Sequence, residues 1–243
     1  IRALVARFFA EPYRQPLARW GTALHDKWMM PHYIWGDLCD VLEDLRAHGF
    51  AFKNEWFAPF LEFRFPHAGE VQYGDTRIEL RQAIEPWHVL GEEVSGGGTA
   101  RYVDSSVERM EVKVRDFNAA RYTLTCNGFK VPLQPTGVSG EAAWQPPSAL
   151  HPMITIHAPL VFDLVDNWNQ RSVGGCTYHV VHPGGRGYET FPVNANEAEA
   201  RRMTRFWHYG HTQGSMANIR QAPGQEYPHT LDLRRAGVAD PGL

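Results

Sequence analysis

The stretch WFAPFLEFRFPHAGEVQYGDTRIELRQAIEPWHVLGEE, residues 56–93, decides how this chain is read. It holds two Glu-x-Arg units, Glu62-Phe63-Arg64 and Glu79-Leu80-Arg81. Residues two apart in a strand project from one face, so each unit sets an acid beside a base. Antiparallel pairing with Glu62 opposite Arg81 and Arg64 opposite Glu79 also sets Phe63 against Leu80 and Phe65 against Ile78. One register yields a charged face and an apolar face together, and a slip of one residue would bury the charges. The expected unit is a two-stranded Glu/Arg ladder.

Helices are expected before it. Ile1, Leu4, Val5, Phe8 and Phe9 share a helical stripe that stops before Pro12. A second helix is expected from Pro16 to Pro31, with Leu17, Trp20, Leu24 and Trp28 at helical spacing. A third begins near Asp37 as its cap, buries Leu38, Val41, Leu42 and Leu45, and has Gly49 just past its end. With no initiator Met and no cap, Ile1 reads as a cut through a helix of a longer protein.

After Gly49 the period changes from 3.6 to 2. Residues 94–100 are expected to form a flexible loop. In Val107–Arg115, Met110, Val112 and Val114 alternate with Arg109, Glu111, Lys113 and Arg115, a strand with one buried and one wet face. Asn127-Gly128 is the preferred two-residue hairpin turn. It sets Cys126 opposite Phe129, Leu124 opposite Val131 and Tyr122 opposite Leu133, which makes Cys126 a core thiol. Residues 135–152 read as a surface loop, and 154–165 and 177–182 as strands. Asn194 or Asn196 caps a late helix, with Glu197 or Glu199 in its first turn. Met203, Phe206 and Trp207 form the buried side of that helix, and Gly210 ends it. The predicted class is α+β: N-terminal helices (1–50) packed on a mainly antiparallel, sandwich-like module (51–213), with a late helix and an extended tail (214–243).

The composition, 43% hydrophobic and 21% charged over 243 residues, is that of an ordinary globular protein. A net charge of -3 provides no basic field for nucleic acid. No apolar run approaches the roughly 20 residues of a membrane span. Cys39, Cys126 and Cys176 are odd in number and lack C-x-x-C spacing, so reduced thiols and a cytoplasmic setting are expected.

Several groups are candidates for chemistry. Glu62, Arg64, Glu79 and Arg81 could bind a carboxylate, an amine or a phosphate; the alternative is an ion-pair ladder that only sets register. Glu85, His88 and Glu92, with Pro86, Trp87 and Glu93, could line a pocket with His88 as the titrating group, or be a Trp anchor among solvated acids. Cys176 near His179, with Asp163 or Asp166 as orienter, has the residue types of a thiol nucleophile, but such partners are recognised only by geometry. His179 and His182 would face opposite ways in a strand, and His151 and His157 lack a third ligand, so no metal site is expected. The HPGGRG segment (182–187) could cradle an anion or simply turn. Trp144, Trp168 and Tyr188 could stack on a sugar or peptide, or fill a core.

The strings EFRFP (62–66), ELRQAIEPWHVLGEE (79–93), YVDSSVERMEVKV (102–114), TCNGFKVPL (125–133) and HAPLVFDLVDNWN (157–169) belong together. With GGCTYHVVHPGGRGYETFPVNANEAEARR (174–202) and TLDLRR (230–235), they resemble the C-terminal part of a family of bacterial transglutaminase-like proteins. The second half of those proteins is an amidoligase related to glutamine synthetase. The resemblance implies ATP and Mg held upstream of Ile1 and none within this stretch. It also implies an upstream catalytic domain as partner, a peptide or amino-acid-like substrate, and no activity for this piece by itself. At Ala142-Ala143 the chain departs from the family: either the loop is shortened or residues are missing there. A non-catalytic β-module that binds substrate or partner is the alternative, and in neither case is nucleic acid or membrane expected as a partner.

Overall fold

The computed structural model describes residues 1–16, 27–28, 30–83, 86–88, 100–102, 109–136, 141–144, 159–179, 193–194, 196–197, 200, 204–221, 229, 231 and 233. Side chains of 63, 64, 86–88, 100–102, 109 and 141–144 are not among them. The architecture is α+β, with helices at the N-terminal end and two antiparallel sheets that share one core.

Helix α1 spans Arg2–Ala10 and α2 spans Pro31–Ala47. Helix α2 starts six residues before the expected cap because Pro31, expected to end a helix, instead begins one in its first turn. Leu42 and Leu45 are buried, and Gly49 follows with φ 89, as a helix end prefers. The apolar stripe of α1 buries nothing; Phe9 remains 86% exposed. Arg7 ties α1 to Asp44 of α2 at 3.1 Å. The second expected helix lies almost entirely outside the described residues.

The EFRF run is not a strand. It closes α3, Ala58–Arg64, whose second residue is Pro59 and whose end is marked by the Phe65 amide donating to Leu61 O. The strand that pairs with β2 (Thr76–Ala83) is β1 (His67–Tyr73), with Val71 opposite Ile78 and Gly69 opposite Leu80. The Gly74-Asp75 turn between them decides this. A two-residue loop with Gly first, here at φ 59, closes a hairpin at far lower entropic cost than the longer loop the ladder needs. The sorting of faces survives the change of partner: Ile78 and Leu80 are fully buried, while Glu79 and Arg81 lie on the other side.

Strand β3 (Pro86–His88) pairs with β4 (Ala100–Tyr102) as a separate ribbon. The first sheet continues through β5 (Arg109–Arg115) and ends in β9 (Glu141–Trp144) and β8 (Gln134–Pro135), in the order β1-β2-β5-β9-β8. Ala142 and Ala143 sit in β9 and pair with Val114 and Lys113, so a strand replaces part of the expected 135–152 loop. On β5, Met110, Val112 and Val114 are fully buried, as the alternation predicts. Glu111 is not wet: it is 3% exposed and accepts from the His32 backbone at 3.2 Å, with the His32 ring at 2.5 Å. Helix α2 therefore docks on the polar side of β5.

The second sheet runs β12 (Phe206–Trp207), β11 (Arg171–Tyr178), β10 (Leu160–Asp166), β6 (Tyr122–Cys126) and β7 (Phe129–Lys130), in that order. Its central strand is β10, flanked by β6 and β11. The Asn127-Gly128 hairpin into β7 (Phe129–Lys130) forms as expected; both turn residues have positive φ, and Cys126 pairs with Phe129. Phe206–Trp207 is strand β12 against β11, not the buried side of a helix. The late helix is present at its start, where Asn194 Oδ1 accepts from the Glu197 amide at 2.9 Å. The chain then turns at Thr204-Arg205, and Gly210 follows β12.

Phe162, Leu164 and Cys176 from one sheet meet Ile78, Leu80 and Val112 from the other in a single apolar cluster. The Tyr73 hydroxyl links the two sheets by donating to Gly175 O at 2.7 Å.

Candidate acid–base site

Strand β10 reads LVFDLVD, and its alternation explains the site. Leu160, Phe162 and Leu164 enter the shared core, so Asp163 points to the opposite face of the sheet. Asp163 is nonetheless only 4% exposed. Residues 208–218 cover it: Gly214 N donates to Ser172 O at 2.8 Å and Ala217 N to Gln170 O at 2.8 Å. This strap goes on to the hairpin, where Arg220 N donates to Gly128 O at 2.9 Å. A glycine is required where the strap passes over Asp163. A Cβ at Gly210 would stand 2.5 Å from Asp163 Oδ1 and 2.5 Å from Phe162 O.

A buried carboxylate is stable only when its oxygens are partnered. Asp163 Oδ1 accepts from the His211 amide at 2.8 Å and from Ser172 Oγ at 3.1 Å. Its Oδ2 meets His211 Nδ1 in a short contact. An ionised carboxylate only accepts, so Nδ1–H donates to it, which leaves Nε2 as the ring nitrogen available to act. The His211 side chain is 60% exposed, whereas that of Asp163 is 5% exposed, so the pair runs from the protein interior to solvent. They open on a cleft of about 300 Å³ whose polar wall includes Thr125, Ser172, Thr212, Ser215 and Asn218. A fixed acid holding the far nitrogen of an exposed imidazole is the arrangement of a general base.

The thiol reading of Cys176 fails on burial. Cys176 and Cys126 are both 0% exposed, and burial drives both thiols far above their ordinary range, with the nearby Asp163 charge adding to it. Neither can form thiolate at neutral pH. Asp163 does orient a histidine, but it is His211. His179 instead lies against the Trp207 ring at 4.2 Å, and burial lowers its pKa.

Of the ladder residues, the structure brings Glu62, Glu79 and Arg81 together. Arg81 Nη1 donates to Glu62 Oε1 at 2.8 Å and to Phe65 O at 2.7 Å, and Nη2 donates to Glu79 Oε1 at 3.0 Å. The expected Glu62–Arg81 contact is made, from a helix end rather than across a strand pair. Glu79 does not face Arg64 across a strand pair: it lies opposite Glu70 in β1 and opposite Lys113 in β5, and Arg115 reaches it at 3.6 Å. Arg64 is the last residue of α3, with its side chain outside the description. His88 is a β3 residue paired with Ala100, again by backbone only. Glu85, Glu92, Glu93, residues 94–99 of the expected loop, His151, His157, His182 and the HPGGRG turn lie outside the described residues, and Ala100, expected in that loop, is a β4 residue.

Sequence reasoning missed His211 and Ser172. A signal existed: an acid in the middle of an apolar strand, LVFDLVD, calls for a buried partner. Which partner could not be read, because His211 is 48 residues away.

Comparison with known families supplies the context for this site. Residues 1–234 match the model of a family described as "Putative amidoligase enzyme (DUF2126)". The chain belongs to this amidoligase family. No curated protein and no solved structure matches it significantly. No helix among the described residues of this family member is long and apolar enough to cross a membrane. Among the described residues, no three His, Cys, Asp or Glu side chains group closely enough to hold a metal ion.

Proposed function

We propose that this amidoligase-family chain takes part in joining a carboxylate to an amine on a peptide or amino-acid-like substrate. In that reaction the Asp163–His211 pair is the base that takes the proton from the attacking amine. The carrying observation is His211, held at Nδ1 by a buried carboxylate, with its side chain exposed beside a cleft. An ammonium is not nucleophilic. Amide formation therefore needs a group that removes a proton as the nitrogen attacks, and a positioned imidazole contributes roughly 10²–10⁴-fold to such a step.

ATP and Mg belong to this proposal through the resemblance alone. No three His, Cys, Asp or Glu side chains group together among the described residues, and no activation step is assigned to them. The remaining parts of the proposal are a C-terminal position in a longer transglutaminase-like polypeptide, an upstream catalytic domain as partner, and a bacterial cytoplasm as location. Substrate contact at Glu62, Arg64, Glu79, Arg81, Glu85, His88 and Glu92 is part of it too.

One observation favours a non-catalytic β-module instead. The guanidinium of Arg81 already meets two carboxylates and a backbone carbonyl, so a ligand would have to displace them. His211→Asn in the full-length protein separates the two readings. The expected result is a fall of about 10²–10⁴-fold in amide formation, read by mass spectrometry, with an unchanged unfolding midpoint. Undiminished amide formation would remove the base assignment and leave the binding-module reading.

A further inference from the structure

The cleft beside His211 has a chemical preference that can be read from its walls. Among the described residues that line it, Asp163 brings the one carboxylate, and none is a lysine or an arginine. Two nearby guanidiniums keep their charge but are held on backbone carbonyls outside the described lining. Arg171 Nη1 donates to Gly214 O at 2.5 Å, and Arg220 Nη2 donates to Asn127 O at 2.9 Å with its guanidinium over the Phe129 ring at 4.0 Å. Apart from the His211 ring, the cleft has one formal charge among its described lining residues, the Asp163 carboxylate. It also offers the Nε2 lone pair and the oxygens of Thr212, Ser215 and Asn218 as acceptors. A carboxylate or phosphate would take hydrogen bonds from these hydroxyls, but it would lie beside the Asp163 carboxylate with no lysine or arginine among the described lining residues to offset it. An ammonium would find acceptors on several sides.

Size narrows the class further. About 300 Å³ is the lower end of the range of small-molecule pockets, roughly 300–1,000 Å³. Met216 and Ala217 give one apolar wall, enough for a small side chain. We propose that this cleft is the amine subsite: it takes a compact primary amine, such as an amino-acid amide or a peptide N-terminus, with its nitrogen at His211 Nε2. This inference rests on the amidoligase reading. In the step it implies, the ammonium gives one proton to Nε2, the neutral nitrogen forms its bond to the activated acyl carbon, the bond from that carbon to its leaving group breaks, and a second N–H proton goes with the departing group.

Calorimetric titration of the full-length protein tests it, with glycinamide, N-acetylglycine and inorganic phosphate as probes. Glycinamide is expected to bind saturably, and the two anions are expected not to compete with it. Asn218→Trp and Thr212→Trp place bulk at exposed positions of the wall, where folding is least at risk, and their unfolding midpoints are measured alongside. Each is expected to weaken glycinamide at least about tenfold. In turnover, KM for the amine should rise while KM for the carboxylate stays fixed. The inference is overturned if glycinamide does not bind, if phosphate displaces it, or if both variants bind it as wild type does. Loss of the ligase reading would look different: no amide product, with glycinamide still bound and still weakened by the two tryptophans.

Discussion

Replacing Asp163 by Asn removes one charge and almost no volume, and its consequences follow from three contacts. Two donors, the His211 amide at 2.8 Å and Ser172 Oγ at 3.1 Å, meet Oδ1, and an amide oxygen can still accept from both. A hydrogen bond to a charged acceptor contributes about 1.5–3 kcal/mol and a neutral one about 0.5–1.5 kcal/mol. The change therefore costs about 1 kcal/mol per bond, or about 2 kcal/mol in all. Relief from burying a charge acts in the other direction and keeps the loss near that figure. The third contact reverses its polarity: a new N–H faces His211 Nδ1, so Nδ1 must become the acceptor and the imidazole proton moves to Nε2. Urea unfolding followed by tryptophan fluorescence measures the first effect, and long-range ¹H–¹⁵N correlation of the histidine ring measures the second. Asp163→Asn should unfold about 2 kcal/mol more easily, show the Nε2–H tautomer, and lose base catalysis with it. If the Asp163→Asn variant keeps the Nδ1–H tautomer at wild-type stability, the assignment of Asp163 as the residue that orients His211 is refuted.

Four further outcomes are expected. Gly210→Ala should destabilise the fold by about 1–3 kcal/mol, because its Cβ would lie 2.5 Å from Asp163 Oδ1; thermal unfolding checks this. His32→Ala leaves Glu111, 3% exposed, without its ring partner but with the backbone amide. The loss should fall near the low end of the roughly 3–5 kcal/mol typical of a broken buried pair, with faster hydrogen exchange in α2. Arg81→Gln should cost more than Glu62→Gln in urea unfolding. Arg81 is 14% exposed with three acceptors, whereas Glu62 is 56% exposed and its ion pair contributes about 0–1 kcal/mol. His179→Phe should flatten the pH dependence of stability. Burial lowers the His179 pKa, so the unfolded chain binds the proton first. Its contribution is whole above the unfolded value of about 6.5 and is lost as pH falls through the lower folded value. Unfolding midpoints at about pH 7 and pH 5 should differ less in the variant than in wild type.

Local physics was legible wherever it acts over a few residues. The strand β5, with Met110, Val112 and Val114 buried, follows from alternation, and the Asn127-Gly128 hairpin follows from two positive φ angles. Which faces of β2 were apolar and which charged was also readable, and so was the contact of Glu62 with Arg81. The partner of β2 was misread because two strong patterns competed. The Gly74-Asp75 turn is local and prevails over a charge pattern that requires a longer loop. Phe206 and Trp207 show the same lesson in another form. Their spacing fits a helix, but a free edge of β11 accepts them as a strand.

The sequence by itself determined the α+β class, the apolar faces and the resemblance to amidoligases, because periodicity, turn chemistry and long shared strings are properties of the chain. Tertiary structure alone decided the site. Asp163 and His211 lie 48 residues apart, and Ser172 joins them only because β11 returns beside β10 and the 208–218 strap crosses that face. A buried acid in LVFDLVD announces that a partner must exist. The identity of that partner depends on which distant segment the fold lays over it, and no pattern of near neighbours carries that information.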